Sequence, residues 1–203
     1  MLRPALSAAW RDELIARNVS TLVPPPRVTS REIKPWTLDQ TLTFPSAART
    51  DPLYAPFVLA IALGMRRGEI VGLRWSWVNL ENRVLWVRRQ LQRVGGKLYE
   101  DTTKSSKRRP VPLPRICASA LRWHRMRQDE ARRAADRVRL HHPHQPTNLY
   151  RSFVRVSKAA EVPAIRLHNT RHGCATLLVA CGVPPRVVME ILGNMDRLLK
   201  RRH

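Results

Sequence analysis

The sequence predicts an α+β chain, mainly α-helical, with a small three-stranded antiparallel sheet set among the helices. Three observations carry this. DPLYAPFVLAIALG, residues 51–64, is apolar nearly all round, as a buried helix is. RVLWVRRQLQ, residues 83–92, instead alternates, with Val84, Trp86 and Arg88 against Leu85, Val87 and Arg89. Residues 115–136 then return to helical spacing, with Ile116, Ala120 and Trp123 on one face.

In chain order, residues 2–19 carry Leu6, Ala9, Trp10, Leu14 and Ile15 near helical spacing and then run into VPPPR. A single helix cannot bury its own apolar face, so it must pack on the next domain, on a partner, or be the last piece of a missing domain; residues 1–30 are expected to hold this helix and a proline linker, ahead of a main domain at 31–203. The buried helix stops at Gly64, and MRRGEIVGLRW opens a short helix after it. The strand at 83–92 turns at Gly95-Gly96 into KLYE, and RRPVPLP supplies a third strand that its prolines confine to an edge. TNLYRSFVRVSKAA has Thr147 as a candidate N-cap, with Leu149, Phe153 and Val156 at helical spacing. Asn169 to Cys181 and Pro185 to Leu192 read as two helices parted by Gly182-Val183-Pro184, with Gly193 closing the second.

The chain is long enough to bury one core. Its 37 Lys+Arg against 15 Asp+Glu leave a net charge of +22, which favours an extended polyanion, and nucleic acid before others, as partner. No acid falls between Asp101 and Asp129, whereas Lys104, Lys107, Arg108, Arg109, Arg115, Arg122, Arg125 and Arg127 do; that stretch is expected to face phosphates. No window approaches the roughly 18 unbroken apolar residues of a membrane span, and the N-terminus does not read as a signal peptide. The expectation is a cytoplasmic protein without a membrane partner. Cys117, Cys174 and Cys181 lack CxxC spacing and read as small buried residues; His141, His142 and His144 read as an exposed loop. Neither metal nor cofactor is expected.

Chemistry on a phosphodiester needs fixed positive donors for the charge that gathers on the non-bridging oxygens, and an acid for the departing oxygen. Guanidinium groups match the first need by bidentate hydrogen bonds; Lys or His serves the second. In RLHNTRH, His168 and Arg171 lie three apart, so one helical turn can aim both at one point. Taken with ALGMRRGEIVGLRWSWVNLENRVLWV, TTKSSKRRPVPLP and RLHNTRHGCATLLVACGVPPRVVMEILGN, in that order, the chain resembles the catalytic domain of tyrosine recombinases, the phage-type integrases, over roughly residues 36–194. The helix at 2–19 is similar to the tail of that family's core-binding domain.

The resemblance implies the tyrosine-recombinase catalytic fold wrapped on duplex DNA, with other recombinase protomers as partners, and a tyrosine that attacks the scissile phosphate to form a 3′-phosphotyrosyl link. It places the first clamp arginine on Arg66, a supporting acid on Glu69, the leaving-group lysine on Lys104 with Lys107 as competitor, a phosphate-holding or proton-moving histidine on His168, and the second clamp arginine on Arg171. His172 is expected to pack or hydrogen-bond beside them. Lys107, Arg108 and Arg109 are expected to grip DNA.

Two departures stand out. Asn194 occupies the place of a histidine or tryptophan, and it can donate a hydrogen bond but cannot titrate. The tyrosines are Tyr54, Tyr99 and Tyr150, none downstream of His168 where the family's nucleophile belongs. The expectation is therefore an integrase truncated at both ends, with no nucleophile of its own and impaired strand cleavage. The alternative is a non-catalytic DNA-binding module, in which helix, Gly turn and helix at 169–192 act as a helix-turn-helix.

Overall fold

A computed structural model of the chain describes residues 2–24, 35–102, 108–135 and 146–193. The chain divides into two compact units, Met1–Glu32 and Ile33–His203. In the first, α1 (Leu2–Arg11) ends well short of the helix expected over 2–19, and none of its residues is buried. Glu13 takes φ 57°, a left-handed conformation that stops the helix. Asn18 then caps a 3₁₀ turn at Val19–Thr21, accepting from the Ser20 N–H at 3.0 Å while its amide donates to Ser7 Oγ at 2.8 Å.

The second unit is built on α3 (Tyr54–Ala62), whose Ala55 and Phe57 to Ile61 are all buried, as an all-round apolar helix must be. Trp36, Phe44, Phe57 and Phe153 gather around it with ring centroids 5.1 to 5.9 Å apart. Phe44 belongs to α2 (Leu38–Ala47), a helix the apolar periodicity did not indicate. Its signal is a capping box: Thr37 Oγ1 accepts from the Gln40 N–H at 3.3 Å, and the Gln40 side chain accepts from the Thr37 N–H at 3.0 Å. Phe153 comes from α6 (Pro146–Ala159), which begins at the proline and so leaves Thr147 inside the first turn rather than capping it. Cys117 and Cys174 are buried as expected, whereas Cys181 is exposed.

The helix expected after Gly64 is α4 (Arg67–Val71), and the alternating stretch that follows is two strands rather than one. β1 (Val78–Asn79) and β2 (Val84–Val87) join the later β5 (Arg109–Pro112) in a three-stranded antiparallel sheet of order β1-β2-β5. Arg88 interrupts the run, and β3 (Arg89–Val94) pairs with β4 (Lys97–Thr102) in a separate hairpin. The partner explains the break: β5 starts at Arg109, opposite Val87, so beyond that point β2 has no neighbour to follow. Alternation in sequence reports which face a residue takes, not which strand it pairs with. Gly95 and Gly96, both at positive φ, form the two-residue turn that the hairpin requires. β5 is the edge strand its prolines demand.

Three helices complete the unit: α5 (Arg115–Ala135), α7 (Thr170–Ala180) and α8 (Pro185–Leu192). On α5, Arg125 and Arg127 lie over the rings of Trp75 and Trp123, at 5.6 and 4.6 Å from the centroids. Cys174, Ala175, Val188 and Leu192 form a small second core between α7 and α8. Among the described residues, no helix is long and apolar enough to cross a membrane.

Helix α4 lies directly against β3. A Cβ on Gly68 would stand 2.9 Å from the Leu91 carbonyl oxygen, and one on Gly72 3.2 Å from the Leu91 nitrogen. Alanine ordinarily strengthens a helix. Here Gly68→Ala is expected to lower stability by about 1–3 kcal/mol through overpacking, measured by denaturant unfolding. A raised midpoint would show that the helix and strand can part without loss.

Candidate active site

The site is organised around a buried carboxylate. Glu69, on the first turn of α4, is 1% exposed. One of its oxygens accepts from the Arg66 backbone N–H at 2.9 Å, and the other from the Arg66 guanidinium, also at 2.9 Å. On its other side, the Arg109 guanidinium donates to both oxygens, at 3.1 and 3.0 Å, in a bidentate pair. Burial alone would raise the Glu69 pKa. The Arg109 hydrogen bond and charge, followed by the Arg66 backbone N–H and charge, outweigh it and hold the carboxyl below the usual range.

Arg171 enters from the first turn of α7 and is 5% exposed. It donates to the Gly64 carbonyl at 2.7 Å and, through its other terminal nitrogen, to the Leu192 carbonyl. Gly64 turns the chain out of α3 at φ 57°, and a side chain there would collide with Leu192. Desolvation, and then the Arg66 charge, bring the Arg171 pKa down to about 10, so it stays cationic at neutral pH.

The three arginines share one further target. Arg109 Nε donates to the Ile191 carbonyl at 3.1 Å, Arg171 to the Leu192 carbonyl, and Arg66 to the Gly193 carbonyl at 3.4 Å. These are successive carbonyls at the C-terminal end of α8, where backbone groups lack helical partners and the helix dipole is negative. Gly193, at φ 65°, ends the helix, and a Cβ there would sit 2.7 Å from an Arg109 nitrogen. Guanidiniums from three separate elements thus fasten the end of α8.

His168 lies on the 3₁₀ turn at Leu167–Asn169, open to solvent at the edge of this cluster. Its pKa is lowered, first by partial desolvation and then by the charges of His172, Arg171 and Arg66. The His172 ring stands edge-on to it, with centroids 5.8 Å apart. A neutral imidazole beside two fixed cations can accept or relay a proton, and an anion arriving there would favour its charged form.

The structure brings together Arg66, Glu69, His168, Arg171 and His172 from the residues expected at the site. Lys104, Lys107, Asn194, His141, His142 and His144 lie outside the described residues. Arg108 is exposed. Arg109 is a correction: expected to face DNA, it is buried against Glu69 because β5 alternates, and residue 109 shares the inward face with Val111 while Pro110 and Pro112 point outward. That alternation was legible in RRPVPLP. The carbonyls of Gly64, Ile191, Leu192 and Gly193 carry no sequence signal, since every residue has one.

Residues 37–197 match the phage integrase family. The chain belongs to that family. A XerC-like tyrosine recombinase of Caldanaerobacter subterraneus is 29% identical over 188 residues, covering 81% of this chain and 48% of that protein. A protein of Mycobacterium tuberculosis assigned as the integrase of prophage phiRv2 is 32% identical over 202 residues, covering 96% of this chain and 53% of that one. The chain thus spans about half the length of these curated relatives. In fold, it is similar to the Tn1549 transposon integrase solved with transposon right end DNA, with a TM-score of 0.69, 21% identity, and coverage of 94% of this chain and 68% of that one. It is also similar to the XerA recombinase, with a TM-score of 0.61, 19% identity, and coverage of 95% and 66%. These likenesses support the mainly helical fold with its small antiparallel sheet.

Two outcomes are expected from this integrase-family site. Folding lowers the Glu69 pKa, so its stabilising contribution is fully present above the unfolded value of 4.5 and is lost as pH falls from there through the native value. Glu69→Gln should flatten that acid limb of a stability-versus-pH curve, and Glu69→Ala should cost about 3 kcal/mol or more at neutral pH by removing the carboxylate that neutralises the buried Arg109 and part-buried Arg66 guanidiniums. Separately, NMR titration of the His168 ring should give a midpoint below 6.5. A midpoint at or above that value would mean that the neighbouring cations are screened from it.

Proposed function

We propose that this chain is the catalytic-domain part of a DNA breaking-and-rejoining recombinase, which binds duplex DNA and clamps the scissile phosphate. Arg66 and Arg171 hold the non-bridging oxygens, His168 holds an oxygen or moves a proton, and Lys104 protonates the departing oxygen. The observation that carries the reading is the meeting of Arg66 and Arg171, far apart in sequence, at the end of α8 with the His168 ring beside them. The cluster sets three guanidiniums, Arg66 and Arg109 bonded to Glu69 and Arg171 near it, against one carboxylate, which leaves a net positive charge where a phosphate would enter. The Tn1549 integrase, solved on transposon DNA, supports the same partner.

The tyrosines in the described residues make other contacts. Tyr54 packs edge-on against Trp123, Tyr99 sits opposite Gln92 in the hairpin, and Tyr150 is exposed on α6. None of these tyrosines stands as a nucleophile in this reading, so strand cleavage by these 203 residues alone is impaired. The helix-turn-helix alternative is disfavoured by Arg171, which turns inward to Gly64 and Leu192 rather than outward to a groove. Residues 1–30 are read as a helix from a core-binding part and its proline linker.

Two measurements test the reading. Affinity for an arbitrary duplex should fall steeply with salt, with a log–log slope of several units, because phosphate contacts release counterions; a flat response would remove DNA as partner. A nicked duplex that traps covalent intermediates should yield no adduct with the 203-residue chain, and should yield one when an intact relative is added. An adduct with these 203 residues alone would show that one of their own side chains attacks, and would overturn that part of the reading.

A further inference from the structure

We infer that Arg109 is a positioning residue for the phosphate clamp rather than a DNA contact; this rests on the clamp reading above. Its guanidinium makes three bonds in two directions. Two go to the Glu69 oxygens at 3.1 and 3.0 Å, and the third, from Nε, goes to the Ile191 carbonyl at 3.1 Å. Glu69 in turn holds both the backbone N–H and the guanidinium of Arg66. Arg109 is thus a second link, beside Arg66's own bond to the Gly193 carbonyl, between the turn that opens α4 and the end of α8, the same end that Arg171 grips one residue further on.

The local structure is shaped to this one side chain. β5 directs residue 109 inward, and the αL conformation of Gly193 leaves the space that the guanidinium fills. A lysine in its place would retain the charge but lose the planar fork: an ammonium cannot present two parallel bonds to a carboxylate and a third, in-plane bond to a carbonyl behind it. Arg66 would then keep its carboxylate without the opposing clamp that fixes where the carboxylate lies. Arg109 never has to meet the phosphate to set the position of the group that does.

Substitution by lysine separates the possibilities, because lysine is itself a competent phosphate contact. The probe is inorganic phosphate, followed by the shift it causes in the His168 ring resonances of the full chain, alongside the salt dependence of duplex binding and a thermal unfolding curve. Arg109→Lys is expected to weaken phosphate binding by about tenfold or more at a temperature where the variant is folded, since small misplacements of a clamp are amplified in affinity. The salt slope for duplex DNA of the charge-removing variant Arg109→Gln, read where it is folded, should stay that of the unaltered chain, whereas a lost phosphate contact would reduce it by about one. Unaltered phosphate affinity in folded Arg109→Lys, or a reduced slope in Arg109→Gln, would overturn the inference while leaving the clamp intact. A lack of any phosphate-dependent shift in the unaltered chain would instead bring down the clamp reading and this inference with it. Should Arg109→Lys fail to fold, the unaltered chain still decides: the Arg109 Nε–H, bonded to Ile191, should exchange slowly and keep its resonance when duplex is added, and a shift on binding would mark it as a contact.

Discussion

A single buried carboxylate, Glu69, holds the site together. Burying a charge is unfavourable unless partners replace its water, and here Arg66 and Arg109 do so from opposite sides with four hydrogen bonds between them. The consequence reaches beyond local stability. Because Glu69 stands on α4, with Arg66 as its N-cap, and Arg109 on β5, satisfying the carboxylate fixes the helix to the three-stranded sheet. Because Arg109 also reaches Ile191, the same interaction fixes both to α8.

The end of α8 acts as the counterpart. Its last carbonyls, which no helical N–H can reach, accept from three guanidiniums on α4, β5 and α7. Each arginine thereby has some of its donors anchored on the protein while its charge persists. A cationic group held in this way is pre-organised: little ordering remains when an anion arrives, and little reorganisation follows. Glycine appears where this geometry leaves no room for a Cβ. Gly64 abuts Leu192, Gly193 abuts Arg109, and Gly68 and Gly72 let β3 lie against α4.

His168 is tuned by the same surroundings. Partial desolvation, and then the charges of His172, Arg171 and Arg66, disfavour its charged form. On the proposed function, an incoming phosphate would supply negative charge that favours that form instead. The more deeply buried Arg171 keeps its proton in either state, because its pKa of about 10 is still well above neutrality.

Much of this was determined by sequence alone. The all-round apolar run of α3, the Gly-Gly hairpin turn, the proline-marked edge strand and the pair of helices at the C-terminal side are local signals, written in periodicity and turn chemistry, whereas Arg66, Glu69, His168 and Arg171 were singled out by motifs that resemble those of the integrase family. The capping box of α2 and the inward alternation of Arg109 were equally local. Tertiary structure alone decided the rest: that β2 and β3 part at Arg88, that Arg109 turns to Glu69, and that three arginines share the end of α8. These depend on which strand lies beside which and on backbone carbonyls that every residue possesses, so nothing in the linear pattern distinguishes them until the chain has folded.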